Sequence, residues 1–192
     1  MKKLVYIDAC VRGGESRTRA IAEPIVAELS KRYEITTYRI PEMEMTPLDP
    51  ELLDRRNLGG IPSWAAEAAR RIAEADRLVI AAPFWDMSFP AALKCFFEQT
   101  SLFEITFTST DRTCVGLCRC EKVLYITTRG MDIRTGDPLE QATPYLRALS
   151  SLWGLGDMIT VAASNMDYSP EDVLREKMAA AIAEGLAIAR EF

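Results

Sequence analysis

No histidine occurs among the 192 residues. Its absence removes the Ser-His and Cys-His pairs that activate most nucleophiles, and the imidazole ligands common at zinc. Cysteine is sparse, five residues, and Cys114, Cys118 and Cys120 crowd one segment without the paired spacing of a metal site. No metal is expected, and the three read as small apolar residues of a hairpin, with Cys118 and Cys120 sharing one face through the period of two. A basic excess is also lacking: 23 Lys and Arg stand against 28 Asp and Glu, for a net charge of -5, which leaves no electrostatic footprint for nucleic acid. No apolar run approaches the roughly 20 residues that cross a bilayer. Asp8 and Arg12 interrupt any secretory core after Met1-Lys2-Lys3, so the chain is expected to be cytoplasmic, with no membrane partner.

What is present is apolar and ordered. With 48% apolar residues, a core can form without disulfides or metals, and one domain spanning 1–192 is expected, with no repeat or low-complexity segment. Apolar runs alternate with helical patterns, the signal for an α/β fold with a parallel sheet covered on both faces. Five strands are predicted, over Lys3 to Ile7, Glu34 to Tyr38, Arg77 to Ala82, Lys122 to Thr127 and Met158 to Ala163. Helical stripes lie between them: Ile21, Ile25 and Leu29; Ala65, Ala68 and Ile72; Leu93, Phe96 and Phe97 after Pro90; Ala142, Tyr145, Leu149 and Trp153; and Leu174, Met178, Ala181, Ile182 and Leu186. Two segments break the alternation. Arg39 to Pro62, rich in Pro and Met, reads as a rigid loop packed on a surface. Phe103 to Cys120 reads as a hairpin turning near Thr110-Asp111-Arg112.

Three strand-to-helix loops carry the chemistry. The first contains Cys10 and Ser16-Arg17-Thr18 at a helix start, where free N–H groups and the helix dipole favour a phosphate. It lacks the Gly-Lys-Ser/Thr ending of a Walker loop and the glycine fingerprint of a dinucleotide site; capping by Ser16 or Thr18 is the plain alternative. The second, Pro83-Phe84-Trp85-Asp86-Met87, offers flat apolar surface with polar groups, the mixture that an isoalloxazine ring needs, although an aromatic cluster alone is more often core. The third, Thr128-Arg129-Gly130-Met131, also reads as an ordinary turn when taken singly. A sheet of order 2-1-3-4-5 gathers all three loops around one crevice, and that convergence carries the argument.

These motifs resemble the FMN-dependent NADH-azoreductases, within the NAD(P)H:quinone reductase group on the flavodoxin-like fold. Pro83-Phe84-Trp85-Asp86-Met87 stands where the family has Pro-Met-Tyr-Asn-Phe, followed by the matching Pro90-Ala91-Ala92-Leu93-Lys94. Thr128-Arg129-Gly130-Met131 stands at its Ser-Arg-Gly-Gly turn, and Thr143-Pro144-Tyr145-Leu146 at its Pro-Tyr-Leu segment. Cys10 replaces a phosphate-contacting serine, and Asp86 a neutral amide. The resemblance implies a three-layer flavodoxin-like sandwich with a hairpin inserted after the helix following strand three. It implies FMN as cofactor, NADH or NADPH as co-substrate, ping-pong reduction of a quinone or azo compound, and a homodimer. No side chain is expected to act as acid or base. Cys10, Ser16, Arg17 and Thr18 would hold the phosphate, Pro83 to Met87 the ring, and Thr128, Arg129 and Gly130 its edge, with Phe107 and Tyr168 as candidate substrate contacts.

Other classes remain open on the same fold. A low-molecular-weight phosphatase would use Cys10 as nucleophile, with Arg17-Thr18 and Asp137-Pro138 imitating its motifs. The six residues between Cys10 and Arg17, one more than that loop allows, argue against it. A flavodoxin-type electron carrier differs chiefly in lacking a substrate pocket. A receiver-type signalling domain built on Asp8 lacks its lysine at the end of strand five.

Overall fold

The structure is a computed structural model and describes residues 1–192. Five parallel strands, β1 (Lys2–Asp8), β2 (Tyr33–Arg39), β3 (Arg77–Ala81), β6 (Lys122–Thr128) and β7 (Asp157–Ala163), lie in the order β2-β1-β3-β6-β7. Counting only these five, the order is the expected 2-1-3-4-5, and each span agrees with the sequence reading to within one residue at either end.

Side chains alternate across the sheet with the strand period of two, so each strand feeds two cores. Val5 and Ile7 of β1, Leu78 and Ile80 of β3, and Val123 and Tyr125 of β6 pack against α3 (Ser63–Glu74), α4 (Ala91–Thr100) and α5 (Ala142–Trp153). Leu4, Tyr6, Val79, Ala81, Leu124 and Ile126 face the opposite layer, α1 (Arg17–Leu29) and α6 (Glu171–Glu191). The stripes on α1 and α3 are buried as expected. On α6 the fully buried residues are instead the small ones, Ala181, Gly185 and Ala189, while Leu174, Met178 and Ile182 are half-buried. A Cβ on Gly185 would come within 2.1 Å of Ile25 Cδ1, so the smallness of this stripe is what lets α1 and α6 approach.

Two segments differ from expectation. The connection from Arg39 to Pro62 contains a helix, α2 (Pro50–Asn57), capped by Asp49, whose Oδ1 accepts from Leu52 N–H at 2.7 Å, with Pro50 in the first turn. Aspartate followed by proline is a helix-start signal, and the surrounding prolines obscured it. Met43 and Met45 do pack on the core, as a surface-hugging segment should.

The hairpin is shorter than the alternation suggested: β4 (Phe107–Ser109) pairs with β5 (Cys114–Gly116), antiparallel. Residues 103–106 form a turn closed by Leu102 N–H to Thr106 Oγ1 at 3.0 Å. Only Cys114 lies in the hairpin, exposed; Cys118 and Cys120 follow it as buried members of the core. The hairpin docks where Gly116 crosses the end of α5. Gly154 adopts φ 75° there, and a Cβ on Gly116 would stand 2.0 Å from Gly154 N. Because that obstacle is backbone, Gly116→Ala is expected to lower stability by about 1–3 kcal/mol in urea unfolding. An unchanged midpoint and slope would show that the hairpin is not held there.

Candidate active site

The crevice forms at the carboxyl ends of β1, β3 and β6, where the chain turns outward on both sides of β1. Hydrogen bonds continue the sheet past its strands, Ala9 N–H to Ala81 O at 2.8 Å, Ala82 N–H to Ile126 O at 3.1 Å and Phe84 N–H to Thr128 O at 3.0 Å. The three loops are therefore fastened to one another as well as to their strands. Between them lies a cavity of about 110 Å³ lined by Arg12, Glu15, Ser16, Arg17, Thr18, Pro83, Phe84, Trp85, Thr128, Gly130, Met166 and Asp167.

One end of the cavity is polar. Ser16 caps α1, its Oγ accepting from Arg19 N–H at 3.3 Å. The N–H groups of Arg17 and Thr18 have no acceptor in the protein, as helix geometry requires of a first turn. Thr18 and Thr128 share a hydroxyl–hydroxyl hydrogen bond of 2.6 Å; one donates to the other, so one of the two protons remains available. These donors lie at the positive end of a 13-residue helix, the kind of position that favours an anion. Arg12, Glu15, Arg17 and Asp167 are among the cavity's lining, and Arg17 Nη1 already donates to Asp167 Oδ1 at 2.8 Å and to Met166 O at 3.1 Å.

The other end is flat and apolar. Trp85 and Ser88 exchange N–H···O bonds of 3.1 and 2.8 Å around Asp86 and Met87, both at positive φ, 49° and 62°. Positive φ at both central residues is the signature of the tightest hairpin turn, and aspartate tolerates it while methionine is strained. The turn leaves Trp85 and Met87 exposed and the N–H groups of Asp86 and Met87 free, while Met87 O accepts from Gln141 N–H at 2.9 Å. Phe84 lies beneath, buried.

Cys10 is fully buried below the loop, its thiol 3.7 Å from Ala81 O and its N–H held by Asp8 Oδ1 at 3.0 Å. Burial, reinforced by the Asp8 carboxylate, pushes the thiol up to about 12. A buried thiol held in its protonated form is a poor nucleophile for a phosphatase, and Arg17, the arginine of that reading, is engaged with Asp167 at 2.8 Å. Arg129 also faces away from the cavity, fully buried under Phe84. Phe107 packs edge-on to Phe103 on the hairpin and Tyr168 is largely exposed; neither lines the crevice, and Asp86 and Met87, at the tip of the turn beyond Trp85, also stand outside its lining. Met166 and Asp167, from the loop after β7, were not anticipated from sequence. Gly130 is the signal that could have found them, since a Cβ there would meet Asp167 Oδ2 at 2.1 Å. Among the residues, no group of three or more His, Cys, Asp or Glu is placed to hold a metal, and no helix is long and apolar enough to cross a membrane.

A doubly wound sheet with free helix-start donors and an apolar surface at its switch point defines a flavodoxin-like protein, and the flavodoxin-like-fold family model matches residues 2–186. An FMN-dependent NADH:quinone oxidoreductase of Clostridium perfringens is 31% identical over the full length of both chains. Another, from Clostridium acetobutylicum, is 33% identical over 90% of this chain and 91% of its own. The chain therefore belongs to the flavodoxin-like-fold family and, within it, to the FMN-dependent NADH:quinone oxidoreductases. In fold it is similar to an azoreductase of Bacillus anthracis (TM-score 0.87, 20% identity, all of both chains). It is also similar to an NAD(P)H:quinone oxidoreductase of Methanothermobacter marburgensis (TM-score 0.78, 18% identity, 98% of this chain and 100% of the other).

The buried thiols yield a test. At pH 8 a thiol raised to about 12 is almost wholly protonated, and Cys10, Cys118 and Cys120 are all raised to about 12 by burial. Alkylation of the native protein, followed by peptide mass spectrometry, is expected to modify exposed Cys114 and spare these three. Modification of Cys10 at the rate of Cys114 would contradict the buried, inert placement.

Proposed function

We propose that residues 1–192 form one FMN-binding domain that oxidises NADH or NADPH and reduces quinones or azo compounds by two electrons, in ping-pong fashion. The observation that carries this reading is the pairing, in a single crevice, of the free N–H groups at the start of α1 with the apolar surface of Phe84 and Trp85. Bound FMN would supply the chemistry, accepting a hydride from the nicotinamide and passing two electrons to the acceptor.

The chain's own task is binding and orientation. The N–H groups of Arg17 and Thr18, the Ser16 hydroxyl and the free proton of the Thr18–Thr128 pair are donors for a phosphate. Bonds to a charged acceptor are the strong kind. Trp85 and Met87 offer a face for the ring, and the N–H groups of Asp86, Met87 and Gly130 offer donors for its polar edge. No histidine is available for proton transfer, and none is needed when the cofactor carries the reaction. Exposed Trp85, Met87, Met131 and Leu139, on loops at the same sheet edge, support a homodimer whose second copy covers the crevice. The free, exposed Cys114 supports a reducing compartment such as the cytoplasm.

The test is an assay of NADH and NADPH oxidation against a quinone and an azo dye, with added FMN, in the parent and in Ser16→Ala/Thr18→Ala. Loss of the Ser16 hydroxyl and of one partner of the Thr18–Thr128 pair, in contacts worth roughly 1.5–3 kcal/mol each to a charged partner, is expected to weaken FMN binding at least about tenfold. Parental affinity in the double variant would remove the phosphate from this loop.

A further inference from the structure

The strongest unassigned feature lies behind the apolar shelf. Arg129 and Glu140 are both closed to solvent, yet their nearest N···O distance is 3.8 Å, too long for a hydrogen bond. Arg129 Nη1 donates to Ile133 O at 3.2 Å and Nη2 to Thr135 Oγ1 at 2.9 Å. Glu140 Oε1 accepts from Thr143 N–H at 2.9 Å and so caps α5. Around the pair, Arg129 Nε, Glu140 Oε2, Tyr125 Oη, Thr127 Oγ1 and Thr143 Oγ1 are all buried without a protein partner.

Stability does not explain such a cluster. A buried ion pair gains little over apolar residues of the same volume. Its placement does explain it. The Arg129 guanidinium carbon lies 5.7 Å from the centre of the Phe84 ring, and residue 141, next to Glu140, donates its N–H to Met87 O at 2.9 Å. One pair thus braces both the floor of the shelf and the strained turn above it, and it does so at no net charge.

We propose that Arg129 and Glu140 are positioning residues for the cofactor ring: Arg129 fixes Phe84, Glu140 fixes Arg129 and the α5 start that holds Met87, and Glu140 neutralises the guanidinium beneath the site. This rests on the FMN reading above. Removing the carboxylate alone leaves a positive charge behind the shelf, which favours the more electron-rich reduced ring by Coulomb attraction in a partly dry site. Removing both charges restores neutrality without restoring the brace.

The experiment measures FMN affinity by fluorescence quenching and the bound-FMN midpoint potential by dye titration, in the parent, E140Q, R129M/E140Q and R129K. E140Q is expected to raise the midpoint and to weaken FMN roughly threefold to thirtyfold, the range of a desolvated cation–π contact. R129M/E140Q is expected to return the midpoint to the parental value while binding stays weak. R129K keeps the charge and loses the planar fork, so its midpoint is expected to be parental and its affinity reduced; it carries the test if E140Q does not fold. Parental affinity and potential in E140Q, a double variant as displaced in potential as E140Q, or parental affinity in R129K would overturn the assignment. A parent chain that binds no FMN would overturn the cofactor reading itself, whereas a parent that binds FMN alongside indifferent variants would overturn this inference alone.

Discussion

Parallel pairing between β1 and its two neighbours is the constraint on which the rest of the structure depends. Parallel strands send all their carboxyl ends to one edge, and the helices that return the chain must begin there with unpaired N–H groups. Register makes this local: Asp8 lies opposite Ala81 on one side and Arg39 on the other, and Ala81 opposite Ile126. The first loop of the chain is thereby placed beside the loop that follows residue 82, although some 70 residues of chain separate them. A single crossover of the wrong order would scatter the anion site and the apolar shelf to different parts of the surface.

Charge in the crevice is balanced rather than accumulated. Arg17 is met by Asp167 at the mouth, and Arg129 by Glu140 behind the shelf, while Arg12 and Glu15 line the cavity together. The attraction for a phosphate then falls chiefly on oriented N–H and hydroxyl groups at the start of α1, which act only at short range and in a fixed direction. Cys10, where a hydroxyl is usual, cannot add to that attraction: its thiol is buried and occupied with Ala81 O. Arg17 is the exception, because its guanidinium is engaged with Asp167 at an exposed site; a phosphate arriving there competes with a surface ion pair, which is a weak one.

Much of the fold was legible because buried parallel strands are continuous apolar runs, and Leu78-Val79-Ile80-Ala81 or Val123-Leu124-Tyr125-Ile126 admit few other readings. The loops of the site were legible as segments for the same reason: each directly follows such a run. Side-chain direction was not. Arg129 follows Tyr125 and Thr127 on the α5 side of the sheet, so it enters the core, while Thr128 faces the crevice; the period of two separates them, whereas a motif treats the whole turn alike. Helix α2 was hidden by the prolines around it, and Asp167 by distance, since only the bare Cα of Gly130 records its approach. Cys118 and Cys120 kept their apolar character and lost only their strand.

Comparison of FMN with riboflavin tests most directly whether the start of α1 holds the phosphate. The two ligands share the ring and differ in the phosphate, so fluorescence titration of the protein with each isolates that end of the site. With several charge-assisted bonds at stake, FMN is expected to bind at least about 100-fold more tightly, with the difference largely lost in Ser16→Ala/Thr18→Ala. Equal affinity for FMN and riboflavin would contradict the account, because the donors at Ser16, Arg17 and Thr18 would then be capping a helix and nothing more.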